Sequence, residues 1–418
     1  MGSGDGIDGI RAPLGGGGAA RPPRTLSRRG LLAVAGTGTL AALLTGASCE
    51  ARTPPPADRP AAPEPRDTAG PARLLYLGTY TTDGGGNGVG LASYDSRTGA
   101  LTAAGTRDGV ANPSFLARSA DGSRLYAVDE QAKGAVTAMS VGADGGLEVL
   151  GAQSTGGSGP CHLSVHSGGR HLLSANYDSG SIAVHPLAAD GGVLPRTDLV
   201  QHTGSGPDPD RQDGPHAHMV LSDPAGAYVL AVDLGTDTVY TYRLDPAAGK
   251  LAAVSQAPVE PGSGPRHLAF HPSARFAYLA NELGDSVIVC GYGPGTGALT
   301  PGDPQPTVPA GERTEDRNYP AEVVVSADGH FVYVSNRGHD SVARFAVEDG
   351  GATLRLLDAV PAGGAYPRHI SLDPSGGLLF AANQNSGTVT VFHVDQASGA
   401  LTPAGTPFPT PMPVCVLP

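Results

Sequence analysis

Residues 265–281 read Pro265-Arg266-His267-Leu268-Ala269-Phe270-His271-Pro272-Ser273-Ala274-Arg275-Phe276-Ala277-Tyr278-Leu279-Ala280-Asn281. An alternating strand, with His267 and Ala269 against Leu268 and Phe270, meets a turn at His271-Pro272-Ser273-Ala274. A second apolar strand, Phe276 to Ala280, stops at Asn281. The loop Glu282 to Asp285 leads into a third strand, Ser286 to Tyr292, and a fourth follows Gly295-Thr296-Gly297-Ala298-Leu299. Period-2 alternation interrupted by Pro, Gly and Asn is the pattern of short antiparallel strands.

The unit recurs. Its closing residue is Thr79, Asp129, Asn176, Asp233, Asn281, Asn336 and Asn383, at gaps of 50, 47, 57, 48, 55 and 47. Six copies open sixteen residues earlier, at Pro113, Pro160, Ala217, Pro265, Pro320 and Pro367. Thr79 has no opening strand before it; the missing piece stands at the far end, Pro413-Val414-Cys415-Val416-Leu417. A repeat whose first copy borrows a strand from the last residues forms a ring. The expected fold is all-β, a seven-bladed β-propeller of four-stranded antiparallel blades closed by the C-terminal strand. It should occupy residues 74–418 as one domain.

The first 73 residues read differently. Thr25-Leu26-Ser27-Arg28-Arg29-Gly30 sets twin arginines before an apolar stretch, Leu31 to Leu44, too short to span a bilayer. Residues 1–49 resemble a twin-arginine export signal, which implies an extracellular or cell-envelope location. Ser48-Cys49 allows a lipoprotein-type cleavage with Cys49 lipidated, or ordinary cleavage nearby. The proline-rich residues 50–73 read as a flexible linker. Cys161, Cys290 and Cys415 remain in the ring, an odd number that makes a poor disulfide framework. The net charge of −12, without a basic stripe, argues against nucleic acid as a partner.

Propeller geometry sorts the residues that vary between copies. The slot after the opening residue holds Ser114, Cys161, His218, Arg266, Ala321, Arg368 and Val414. The next holds Phe115, His162, Met219, His267, Glu322, His369 and Cys415. The residue after the closing Asn or Asp returns to the same mouth: Tyr80, Glu130, Tyr177, Leu234, Glu282, Arg337 and Gln384. One mouth thus collects His162, His218, His267, His369, Arg266, Arg337, Arg368, Glu130 and Glu282. A local cationic excess in an acidic protein points to a small anionic ligand, carboxylate or phosphate. Any single one of these residues could merely brace neighbouring blades; together they suit a site.

His216-Ala217-His218 is a His-x-His pair that could hold a metal with a third ligand from Asp213, Glu282 or another blade. The signal is weak, and the simpler reading leaves His216 beside the ring, calling for no metal and no cofactor.

The segments Pro160-Cys161-His162, Pro215-His216-Ala217-His218, Gly264-Pro265-Arg266-His267 with Asn281-Glu282, and Tyr366-Pro367-Arg368-His369 resemble the seven-bladed lactonase family. That family includes propeller-type 6-phosphogluconolactonases and the fungal carboxy-cis,cis-muconate lactonizing enzyme. The resemblance covers about residues 74–418 and implies a lactone-ring hydrolase acting on a small anionic sugar or organic-acid lactone. In the muconate branch, a histidine, an arginine and a glutamate from successive blades act with a further arginine. The matching positions here are His218, Arg266 and Glu282, with Arg337 the first choice for the fourth and Arg368 the second. His162, His216, His267, Arg368 and His369 are then expected around the substrate. Either Glu282 or His218 would serve as general base. Two other readings stand beside this one: an exported non-catalytic propeller, since Tyr333-Val334-Ser335-Asn336 resembles YVTN-type repeats, and a metal-dependent gluconolactonase-like enzyme.

Overall fold

The computed structural model describes residues 70–82, 84–312 and 317–418. The twin arginines, Cys49 and the linker through residue 69 lie outside them.

Seven sheets surround an axis. The first blade pairs Pro413–Leu417 with Ala72–Thr79, so the last strand of the chain is the innermost strand of the first blade. The first strand begins at Ala72, slightly before the expected boundary at Leu74. Each later blade runs outward from its opening strand, as in the fifth: Pro265–Phe270, Phe276–Asn281, Ser286–Gly293 and Ala298–Pro306. The second blade departs from the expected opening at Pro113, because its innermost strand is only Leu116–Arg118. In the seventh, the outer edge is split between Leu401–Pro403 and Phe408–Pro409. Among the described residues the only helical element is a 3-10 turn, Asp349–Gly351.

The blades are held by apolar seams. Between the fourth and fifth, Tyr228, Leu230 and Val232 meet Leu268, Leu279, Ile288 and Tyr292, all buried. The tyrosine of the repeat adds a polar staple. Tyr76, Tyr126, Tyr228, Tyr278 and Tyr333 donate their hydroxyls to Gly145, Gly191, Gly295, Gly351 and Gly399 carbonyls at 2.9–3.1 Å. The closing asparagines do something other than cap backbone N–H groups. Asn176 and Asn281 donate to Ser181 and Ser286, each at 3.0 Å, locking the loop between second and third strands. Asp233 instead accepts from the backbone, from the His216 and Thr236 amides at 2.9 and 3.0 Å.

One irregularity of the ladder positions the site. In the fifth blade Pro265 pairs with Asn281 and His267 with Ala280, leaving Arg266 as the extra residue of a β-bulge. The same shift places Cys161, His218, Arg368 and Val414 at bulges. A bulge breaks the alternation of faces and re-aims the extra side chain. This is how two consecutive residues, such as Arg266 and His267, both serve the central channel.

Candidate active site

Glu282 follows the closing Asn281 of the fifth blade and is 3 % exposed. Its Oε2 lies 3.1 Å from Arg266 Nε and 2.6 Å from Arg337 Nη2. Its Oε1 receives Arg211 Nη2 at 2.7 Å. Burial works to raise the Glu282 pKa, but Arg337, Arg211 and Arg266 override it and hold the carboxyl far below the usual carboxylate range. Arg266 is itself drawn down to about 9 by burial and by the charges of Arg337 and Arg368, which leaves it cationic at neutral pH. Its Nη1 donates to the Ala321 carbonyl at 2.7 Å, and Arg337 Nε donates to that of Tyr319 at 3.1 Å.

Arg368 stands differently. Its guanidinium lies 5.7 Å from the centre of the Tyr80 ring and has no hydrogen-bond or ion-pair partner among the described residues. Glu130 sits nearby, accepting hydrogen bonds from Tyr80 at 3.0 Å and from Ser114. Burial pushes Glu130 up, against the pull of Arg368 and of those two bonds.

His218 does not touch Glu282 through a hydrogen bond. Its ring meets His267 edge-on at 5.0 Å and Tyr177 at 5.6 Å, and its Nδ1 is buried without a partner. Burial, then Arg266, His267, Arg368 and Arg337, hold its pKa well below 6.5, so the imidazole is neutral. His216 has other partners. It stacks on Tyr177 at 4.5 Å, with Nδ1 3.0 Å from the Tyr177 carbonyl and Nε2 3.4 Å from Asp213. It braces Tyr177, whose hydroxyl accepts from Arg211 at 3.2 Å. Among the described residues no three His, Cys, Asp or Glu side chains are grouped to hold a metal.

The profile of the family described as "Lactonase, 7-bladed beta-propeller" matches residues 74–418. The chain belongs to the seven-bladed lactonase family. It is 36% identical over 343 residues to a 6-phosphogluconolactonase of Bacillus subtilis, covering 82% of this chain and 97% of the relative. The solved periplasmic gluconolactonase of Pseudomonas aeruginosa superposes with a TM-score of 0.76 at 32% identity, over 83% of this chain and 99% of that one. A Lactobacillus plantarum structure gives 0.77 at 35% identity, over 82% and 98%.

In this lactonase-family propeller the remaining histidines form a cluster. His162, His267 and His369 converge on Phe115 at 4.2, 5.9 and 5.5 Å, which brings side chains of four blades together. Glu322 joins two of them, 2.9 Å from His267 Nδ1 and 3.4 Å from His369 Nε2.

Arg211 is absent from the sequence expectation because it lies on no repeat position. It belongs to the insertion after the third blade, fixed by Gln212, whose Nε2 donates to the Leu234 carbonyl and to Asp237, both at 2.8 Å. A second insertion brings Arg317 to within 3.6 Å of Asp208 and 3.0 Å of the Leu283 carbonyl, so the two insertions meet over the fifth blade. The one available signal was an arginine inside an insertion long enough to reach a neighbouring blade.

Proposed function

We propose that this protein hydrolyses the ring of a small anionic sugar or organic-acid lactone at the arginine-lined mouth. The observation that carries the reading is the contrast between Arg368 and Glu282. Among the described residues one guanidinium rests on a tyrosine ring without a hydrogen-bond or ion-pair partner, while one carboxylate is gripped by three others.

Arg368 suits the anionic group of a substrate, since a free guanidinium can bind phosphate or carboxylate through two N–H donors. Glu282 makes a poor base with both oxygens engaged and its pKa depressed; its work is to align Arg266 and Arg337. Those two arginines then face the lactone carbonyl and stabilise the oxyanion as it forms. His218 is left as the general base. An anion bound at Arg368 offsets the positive field that depresses His218 and brings its pKa toward the working pH. Neutral His218 takes a proton from water as the hydroxyl adds to the carbonyl carbon. It returns that proton to the ring oxygen as the carbon–oxygen bond breaks, giving a hydroxy acid.

The non-catalytic propeller is the less favoured reading, because a scaffold has no use for an arginine that, among the described residues, keeps its N–H donors uncommitted near a saturated carboxylate. Hydrolysis of 6-phosphoglucono-δ-lactone and glucono-δ-lactone, with and without EDTA, tests the assignment. Turnover unaffected by chelator is expected. No turnover on a lactone panel would return the protein to the binding class, and loss with EDTA would favour the metal-dependent class. We also propose export by the twin-arginine route, supported by the sequence of residues 25–44 and by a relative named as periplasmic. Changing Arg28 and Arg29 to Lys should trap the chain in the cytoplasm.

A further inference from the structure

Just before each opening residue lies another slot of the repeat: Asn112, Gly159, His216, Gly264, Tyr319, Tyr366 and Met412. At five of these the backbone is left-handed, with φ of 42° at Asn112, 60° at Gly159, 56° at Gly264, 64° at Tyr366 and 38° at Met412. Glycine adopts this conformation freely and asparagine tolerates it, whereas a bulky aromatic is strained there. The third and fifth blades use glycine. The seventh holds tyrosine at the same turn, fixed by Asp340, whose Oδ1 accepts the Tyr366 amide at 2.8 Å.

The ring occupies a telling place. Arg337 lies 5.3 Å from its centre, and Tyr319, from the same slot of the sixth blade, lies 6.0 Å from Arg337. Arg368 follows two residues later. Backbone strain of this kind persists where the side chain it delivers is needed. An aromatic face also holds a guanidinium without consuming its N–H donors, leaving them for Glu282 and a ligand.

We infer that Tyr366 is a positioning residue, its ring fixing Arg337 at the mouth at the expense of local backbone strain. The inference rests on the reading that Arg337 serves lactone hydrolysis. It predicts that function and stability part company at this position.

The test compares Tyr366→Gly, Tyr366→Phe and Arg337→Lys in the full chain, with 6-phosphoglucono-δ-lactone as probe. Tyr366→Gly should melt no lower than the parent, yet raise KM about tenfold, the loss of one desolvated cation–π contact. Tyr366→Phe should keep both kinetic constants within about twofold, since the ring face rather than the hydroxyl acts. Parental KM in Tyr366→Gly overturns the inference, as does a Tyr366→Phe loss equal to that of Tyr366→Gly. A lower melting temperature in Tyr366→Gly also overturns it, marking the ring as structural. Arg337→Lys separates the two levels: if it is impaired while Tyr366→Gly is not, only this inference falls. If Arg337→Lys is fully active, the assignment of the site falls with it.

Discussion

Arg211 Nη2 lies 2.7 Å from Glu282 Oε1, so a loop inserted between the third and fourth blades supplies the third guanidinium on a carboxylate belonging to the fifth. The repeat alone builds only two-thirds of this cluster. Arg211→Ala removes one of the charges that depress Glu282, so the carboxyl pKa rises. The side chain is a quarter exposed, and its loss should cost about 1 kcal/mol or less in a thermal melt. Turnover should fall about tenfold, because Glu282 would no longer be fixed against Arg266 and Arg337. Full activity in steady-state assays would detach the insertion from the site.

Glu282→Gln removes the carboxylate and leaves Arg266 and Arg337, each 3 % exposed at the side chain, facing a neutral amide. Breaking a buried ion pair from one side costs about 3–5 kcal/mol. The variant should therefore lose stability in urea as well as activity. Parental stability would mean that water already compensates the arginines.

Acid should weaken the fold well above the carboxylate range. His162, His218 and His267 have pKa values held well below 6.5, and His369 stands at about 4, burial being the main cause in each. Below pH 6.5 the unfolded chain gains protons that the folded chain refuses, so stability is lost as pH falls. Each histidine contributes about 1 kcal/mol by pH 5.5. Glu130 and Glu322, raised by burial, oppose this in the window between 4.5 and their raised values. Melting temperature should fall from pH 7 to pH 5, less steeply in His162→Phe. A flat profile would contradict burial of these rings as neutral groups.

Arg368→Gln should both weaken substrate binding and shift the acid limb of the kcat/KM profile. Arg368 is one of the charges that lower His218, so its removal raises the histidine pKa. The acid limb should move to higher pH, while KM increases about tenfold or more. A limb that stays in place would assign the base to another group.

The ring was legible because strand alternation and turn residues repeat, and the C-terminal strand matches a gap in the first copy. His218, Arg266, Glu282 and Arg337 could be placed because bulges and strand ends fall at fixed repeat positions. Arg211 could not, since its placement depends on how a unique insertion folds back through Gln212. His216 precedes the strand, so strand alternation does not orient it; its ring stacks on Tyr177. Tyr366 was hidden by its backbone. Nothing in Tyr366-Pro367 announces a left-handed tyrosine.

The pairing of Tyr76 with Leu417 sets an order of events. Residues near the two ends of the domain must meet before the first blade has an innermost strand, a strand pairing that spans nearly the whole propeller. Contacts of such separation form slowly, because the whole intervening loop loses freedom to close them. Closure of the ring is therefore expected to follow formation of the six blades whose strands are neighbours in sequence.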